Sequence, residues 1–274
     1  MNREQFQRLI HQKGIELYRD MPWRLDTRPY YVLVSELMLQ QTQVGRVIPK
    51  FEQFIAVFPD EFALARASLA EVLVVWQGLG YNRRAQFLWR AVRMIVDEFC
   101  GRFPNSDADL LRLPGVGKNT AGAIAAYAYN RPSVFIETNV RTVYLHHLFA
   151  DADAVTDADI MQELLATLDR THPRKFYWAL MDYGTYLKSQ GIKAHVRSRH
   201  YRIQSPLEGS VRQVRGQIIK VLAKHGALRD EQLRNLVAAD ERYPAALAGL
   251  ERDNIVSVQA GRVAIVEAPF IDKT

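Results

Sequence analysis

Residues 113–141 read LPGVGKNTAGAIAAYAYNRPSVFIETNVR, and this stretch decides the fold. It opens with a glycine turn between two helical segments and closes on an acid, Glu137, followed by Thr138 and Asn139. Gly115 and Gly117 flank Val116, so the backbone can take left-handed turn conformations and present N–H groups outward. Thr120 is expected to start an alanine-rich helix. A Gly-x-Gly turn that feeds a helix N-terminus can receive a phosphate. A plain linker between two helices gives the same pattern, so the flanking sequence has to separate the two readings.

Upstream, residues 3–19 form an amphipathic pattern that ends at Met21-Pro22-Trp23. Pro29 then opens a helix, Tyr30 to Leu39, in which Glu36 stands among Val32, Leu33, Val34, Leu37 and Met38. Two readings are open there: a carboxylate on the solvent face, or a desolvated acid whose pKa is raised until it holds a proton near neutrality. Gln40 to Gln43 break the apolar pattern, and a new helix runs on to Phe58. Ser68 caps a short helix, Leu69 to Trp76, which ends at a second glycine turn, Gly78-Leu79-Gly80-Tyr81-Asn82. Arginines 83, 84, 90 and 93 follow on the helix Arg83 to Phe99. Tyr81 on such a hinge is either a wedge for a base stack or a core-capping tyrosine. Asp107 to Leu113 is a short helix that leads into the opening turn.

Downstream, helices are expected over Asn139–Phe149, Asp159–Thr171 and Lys175–Leu187. Tyr183 to Leu207 contains no acidic residue but does contain Lys188, Lys193, Arg197, Arg199 and Arg202, either a solvated loop or a phosphate-tracking strip. Ser205 to Ser210 reads as a linker. The remainder has the order of a winged helix: helices Val211–His225, Asp230–Val237 and Tyr243–Asp253, then β-type runs Ile255–Val258 and Arg262–Val266. Such modules bind DNA or pair with protein, and the pattern favours neither.

The bulk composition narrows the class. The 274 residues are 48% hydrophobic and 24% charged, with a net charge of +6, and the pI is near 9.4. These are the proportions of a globular protein, and the charge suits a polyanionic partner, though many ordinary proteins are as basic. No apolar run approaches the roughly 18 residues that span a bilayer, and MNREQFQRLIHQKG has no signal-peptide core, so a cytoplasmic, membrane-free monomer is expected. A single cysteine, Cys100, excludes internal disulfides and a cysteine-ligated iron–sulfur cluster.

Two glycine turns, a Gln-Gln-Thr break and two acids about a hundred residues apart would suit an enzyme that works on a flipped nucleotide. Residues 22–149 resemble the MutY-type adenine DNA glycosylases of the helix-hairpin-helix (endonuclease III) superfamily. The segments that carry the resemblance are PWRLDTRPYYVLVSELMLQQTQVGRVIPKFEQF, VWQGLGYNRRAQFL, LPGVGKNTAGAI and ETNVRTV, and it continues through FYWALMDYGTYL to cover about two-thirds of the chain.

The resemblance implies a mainly α, two-lobed fold. Residues 25–134 would form a six-helix lobe with the hairpin, residues 1–24 and 135–204 the other lobe, and 205–274 the winged-helix-like module. The partner would be double-stranded DNA with a mispaired or damaged base. Glu36 matches the acid that protonates adenine, and Glu137 and Asn139 match the second carboxylate and its helper. Arg24 and Leu39 match base-pocket residues, and Asn119 falls where the endonuclease III branch has its lyase lysine. Gln41 and Tyr81 match residues that fill and wedge the stack. Gly115, Gly117 and Lys118 belong to the phosphate-gripping hairpin, where the carbonyls of Leu111, Leu113 and Val116 hold a monovalent cation in the family.

The mechanism implied is glycoside hydrolysis on a nucleoside, with a neutral Glu36 protonating the leaving base and a carboxylate stabilising the sugar cation. Placed at a helix N-terminus, Glu137 is expected to be held anionic, its pKa pushed away from that of Glu36.

Four departures from the family pattern bear on function. Glu137 stands where the family has Asp. The cluster cysteines are absent, with Lys188 near the first position; the basic strip with Lys193, Arg197 and Arg199 is expected to contact phosphate instead, and no cofactor is required. The winged-helix-like module stands in place of the 8-oxoguanine-recognition domain. Asn119 replaces the lyase lysine, so a monofunctional enzyme is expected. Adenine opposite 8-oxoguanine or guanine is the substrate that the resemblance implies. The alternatives are another base (a uracil or thymine mismatch, an alkylated or crosslinked base) or a damaged-DNA-binding protein without chemistry.

Overall fold

The computed structural model describes residues 1–150, 152, 154–192 and 208–266. Lys193, Arg197 and Arg199 lie outside the described residues. The helices are α1 (Arg3–Glu16), α2 (Pro22–Leu25), α3 (Pro29–Leu39), α4 (Val44–Val57), α5 (Glu61–Arg66), α6 (Leu69–Trp76), α7 (Arg83–Asp97) and α8 (Asp107–Arg112). They continue as α9 (Lys118–Tyr129), α10 (Thr138–His147), α11 (Asp157–Thr167), α12 (Pro173–Ser189), α13 (Val211–His225), α14 (Asp230–Leu236) and α15 (Tyr243–Arg252). Three short strands complete the set: β1 (Leu228–Arg229), β2 (Val256–Gln259) and β3 (Arg262–Ile265). The fold is mainly α, and among the described residues no helix is long and apolar enough to cross a membrane.

The chain divides into two compact units. The first comprises residues 1–36, 105–112 and 116–203. Its centre is α12, which packs against α1, α10 and α9. Two glycines allow these approaches. A Cβ on Gly14 would lie 2.8 Å from Cβ of Ala179, and one on Gly184 would lie 2.6 Å from the backbone oxygen of Asn139. Capping boxes at Asn2/Gln5 and Thr156/Asp159 start α1 and α11. Helix α11 begins before Asp159 because Thr156 is the cap. It stops short of Thr171, where Oδ1 of Asp169 accepts the N–H groups of Thr171 and His172, each at 2.9 Å, and draws the chain into a turn.

The second unit comprises residues 37–104, 113–115 and 204–274. Helices α4, α6 and α7 pack together, α5 lies on α7, and α13 packs on α6, α15 and β3. The sequence pattern did not anticipate α5, which Asp60 caps through the N–H of Ala63 at 2.7 Å. The antiparallel sheet has the order β1-β3-β2. Its first strand, Leu228↔Val263 and Arg229↔Arg262, is two residues long, too short to leave an alternating signature.

The two glycines of the opening stretch behave differently. Gly115 takes φ +79°, and a Cβ there would lie 2.7 Å from Cβ of Phe87, so conformation and space both require glycine. Gly117 is extended (φ −89°, ψ −179°), which any residue adopts, and it serves as the N-cap of α9. Of the two, only Gly115 uses the left-handed freedom, and the helix starts at Lys118, not at the expected Thr120.

Candidate active site

Helix α3 is buried almost all round. Val32, Leu33, Val34, Ser35, Leu37 and Met38 are buried, whereas Glu36 between them is half-buried. Glu36 thus sits at one of the few partly exposed positions of an otherwise apolar, buried helix. Burial raises the Glu36 carboxyl well above the usual carboxylate range, and the negative charge of Glu137 raises it further. The two acids are thus close enough to sense each other.

Glu137 is brought there by a short extended segment that is pinned at several points. Phe135 and Ile136 are buried, and the ring of Phe135 stacks on Tyr177 with centroids 4.0 Å apart. The Tyr177 hydroxyl accepts the N–H of Phe135 (3.2 Å) and donates to the carbonyl of Ser133 (2.9 Å). Gly122 of α9 leaves room for Phe135, since a Cβ there would lie 2.9 Å from that ring. The side-chain amide of Asn119 donates to the carbonyl of Ile136 at 2.9 Å, which places Asn119 one residue from the second acid.

Glu137 is the N-cap residue of α10, yet its side chain makes no capping hydrogen bond. Its pKa is raised, not lowered, because burial outweighs the pull of the helix N-terminus. The expectation of a depressed Glu137 is corrected on this point. The order of the pair is kept, because Glu36 carries both burial and its neighbour's charge. Of the two, Glu36 is the acid raised the more, and the titration belongs to the pair.

Asn139, in the first turn of α10, donates from its amide to Oγ1 of Thr185 at a long 3.4 Å. Its Oδ1 is buried and takes no hydrogen bond from the described residues. An orphaned acceptor of this kind, two residues from a catalytic-type acid, is suited to hold a water or a ligand hydroxyl.

Arg24 is buried in a bidentate pair with Asp182 (2.6 and 3.0 Å), and Asp182 also accepts from Arg19 at 2.7 Å. The Arg24 guanidinium lies near the rings of Trp178 and Tyr18, 5.2 and 5.4 Å from their centroids. Tyr127 links this pair electrostatically to the acids. Burial raises its phenol well above the ordinary range, and the charges of Glu137 and Glu36 add to the shift while Arg24 opposes it. Neither Asp182 nor Tyr127 was singled out from the sequence. For Tyr127 a signal existed: it follows Asn119 by two helical turns (119, 123, 127) on the same face of α9.

Of the remaining site residues, Leu39, Gln41, Tyr81, Leu113 and Gly115 belong to the second unit, and Leu111, Val116, Gly117 and Lys118 to the first. Leu39 ends α3 and is half-buried. Gln41 (φ +56°) and Tyr81 (φ +49°) are both non-glycine residues in the left-handed region. Backbone of this kind costs on the order of 1 kcal/mol or more and is kept where the surroundings fix it, often at ligand clamps. Here the surroundings are Arg84. Its Nη1 donates to the carbonyls of Leu37 (2.8 Å), Met38 (2.7 Å) and Gln40 (2.6 Å). Its Nη2 donates to Oγ1 of Thr42 (3.1 Å) and the carbonyls of Leu79 and Gly80 (3.3 and 3.2 Å). Burial lowers its pKa to about 10, so it stays charged near neutrality. Arg84 therefore ties the end of α3 to the second glycine turn from inside, and it does not face a ligand. Arg84→Met is expected to destabilise the protein by on the order of 3–5 kcal/mol, because several carbonyls lose a charged donor at once. Thermal denaturation checks this; a loss under about 1 kcal/mol would leave the turn to other contacts.

Tyr81 is half-buried. The guanidinium of Arg84 lies 5.3 Å from its ring centroid and that of Arg212 lies 5.5 Å away, and the hydroxyl accepts from Nη1 of Arg212 at 2.6 Å. Gln41, Tyr81 and Gly115 line one cleft of about 950 Å³. Among the described residues no group of three or more His, Cys, Asp or Glu side chains is placed to hold a metal ion.

The model of the HhH-GPD superfamily of base excision DNA repair proteins matches residues 34–169, a span that includes both acids. The chain is 34% identical over 170 residues to an adenine DNA glycosylase of Buchnera aphidicola subsp. Baizongia pistaciae, covering 62% of this chain and 48% of that protein. To an adenine DNA glycosylase of Mycolicibacterium smegmatis it is 39% identical over 229 residues, covering 74% of this chain and 75% of that protein. Of solved structures, a thermostable thymine-DNA glycosylase matches with a TM-score of 0.60 at 24% identity, covering 66% of this chain and 85% of that one. The chain thus spans about half the length of the Buchnera relatives and three quarters of the mycobacterial one. It belongs to the HhH-GPD superfamily of base excision DNA repair proteins, where its relatives are adenine DNA glycosylases.

Proposed function

We propose that the protein is a monofunctional DNA N-glycosylase that removes adenine mispaired with 8-oxoguanine or guanine from duplex DNA. The observation that carries this reading is the coupled pair of half-buried acids, one raised by burial and by the other's charge. Glu36 delivers its proton to a ring nitrogen of the flipped base, so the base leaves neutral. Glu137, anionic, stabilises the positive charge that builds on the sugar. Water then adds to the sugar carbon and loses a proton, leaving an abasic site and the free base. The Oδ1 of Asn139 is suited to orient that water. Asn119, committed to the carbonyl of Ile136, offers no amine for a Schiff base, in keeping with hydrolysis without strand cleavage.

Single-turnover incubation with duplexes that hold adenine opposite 8-oxoguanine or guanine tests the proposal. Release of adenine is expected; no release from either pairing would remove the adenine assignment. A second reading changes only the base. Glu137, longer than the family's aspartate, favours it, and a panel of uracil, thymine opposite guanine and alkylated bases separates the two. A monovalent cation at the carbonyls of Leu111, Leu113 and Val116 is part of the same proposal, and exchange of potassium for a bulky organic cation should weaken duplex binding.

The close approach at Gly184 supplies a further expectation. Gly184→Ala puts a methyl 2.6 Å from the backbone of Asn139, so α10 and the acid at its start must shift. Misplacement by about 1 Å is expected to slow excision by roughly 10²-fold. Single-turnover rates with unchanged duplex affinity would confirm it, and a wild-type rate would show that α12 yields instead.

A further inference from the structure

The cleft beside Tyr81 has a wall that the proposed chemistry leaves unused. Arg212, Gly216 and Lys220 of α13 line it together with Gln41, Tyr81 and Gly115. They stand four residues apart, so they share one helix face. Charge in the cleft is one-sided: besides the inward-turned Arg84, Arg46, Arg83, Arg212, Arg215 and Lys220 line it against one carboxylate, Asp253. Asp253 is taken up by Arg215 at 2.5 Å, with Arg83 at 3.6 Å. A concave surface with this excess concentrates positive potential and draws a polyanion.

Gly216 is the more specific sign. It lies inside a 15-residue helix, where glycine is the poorest choice after proline. Close packing accounts for the helical glycines Gly14, Gly122 and Gly184, where a Cβ would lie 2.8, 2.9 and 2.6 Å from a neighbouring atom, whereas Gly45, in the first turn of α4, is open as well. Among the described residues nothing lies within 4 Å of where a Cβ on Gly216 would be. Packing among those residues therefore does not require glycine, and its φ does not either. Bare helix backbone facing a cationic cleft is of use to something that approaches it closely from outside. Arg212 stands one turn before it and Lys220 one turn after. The face from Arg212 to Lys220 is roughly 12 Å long, the rise of about three to four nucleotides along one strand of B-DNA.

We infer that this face of α13 is a DNA-backbone contact: a sugar–phosphate strand lies against Gly216, with its phosphates taken by Lys220 and Arg212. Arg212 at the same time holds the Tyr81 hydroxyl, so the contact reaches the wedge turn. The inference rests on the proposed function only in taking duplex DNA as the ligand.

The test is equilibrium binding of the full chain to a duplex with a tetrahydrofuran abasic analogue and to an undamaged duplex, over a salt series. Lys220→Gln is expected to weaken both complexes alike and to reduce the slope of log affinity against log salt by about 1. Gly216→Leu is expected to weaken binding by about tenfold or more while melting no lower than the wild type, since leucine is the better helix former and the space is open. Arg252→Gln, which removes the same charge outside the cleft, should leave the slope unchanged and so separates a local contact from net charge. Unchanged affinity and slope in both Lys220→Gln and Gly216→Leu would overturn the inference, and the face would then belong to a different kind of partner. If no base is excised but the Lys220 slope falls, the inference stands and the glycosylase reading does not. If bases are excised with unchanged slopes, the reverse holds.

Discussion

Glu36→Gln is expected to slow single-turnover excision by about 10²–10⁴-fold, the usual contribution of a positioned general acid. Glutamine keeps the size of the side chain and removes only its transferable proton. The loss should not come from unfolding. Both acids have folded pKa values raised by burial, so the folded protein binds more protons than the unfolded chain above the ordinary carboxylate value of about 4.3. Their contribution to stability is fully present below that value and is lost as pH rises through the raised ones. Glu36→Gln takes one of these groups out of the titration. Its denaturation midpoint should therefore change less between mildly acidic and mildly alkaline pH than that of the wild type. An inactive variant that is also less stable at alkaline pH would indicate a structural role for Glu36 and not an acid one.

Glu137→Gln is expected to act in two ways at once. The rate should fall by about 10²–10³-fold, as for loss of one preorganised electrostatic contact to a transition state. The pH profile should move as well. Wild-type activity needs Glu36 protonated and Glu137 charged, so the rate falls at low pH as Glu137 takes up a proton and falls again as pH rises through the raised pKa of Glu36. The negative charge of Glu137 is the second cause of that elevation, so its removal lets Glu36 ionise more easily and shifts the alkaline limb to lower pH. A limb that stays in place would mean that the two acids are not coupled. Glu137→Asp adds a test of length: with the backbone pinned around Phe135 and Ile136, the shorter side chain should be slower by about 10–10²-fold. A faster Glu137→Asp would mark the glutamate as the impaired form.

Much of the fold was legible because its signals are local. The Ser68 and Glu71 box, Pro29 at the head of α3 and the Gln40–Gln43 break depend on neighbouring residues, and the helices they bound appear within a few positions of expectation. Glu36 stands out by its apolar neighbours, and their burial is what raises its carboxyl. The charge state of Glu137 was not legible. A helix start is visible in sequence, but burial by segments far along the chain is not, and here burial decides the direction of the shift. Arg84 was equally hidden. Four arginines sit on α7, and only three-dimensional packing shows that this one turns inward to six oxygen acceptors. Which of Gly115 and Gly117 needs to be glycine was not legible either, because the space that Phe87 fills beside Gly115 is set by packing.

The uncapped start of α10 bears on how this protein responds to selection. A serine or threonine at position 137 would close the open N–H groups and add about 1 kcal/mol of helix stability, and it would remove the buried carboxylate as well. Stability and chemistry therefore pull in opposite directions at a single residue. A library sorted only for heat resistance should discard Glu137 early. Any screen meant to preserve function in a hardened version of this protein has to hold that position fixed.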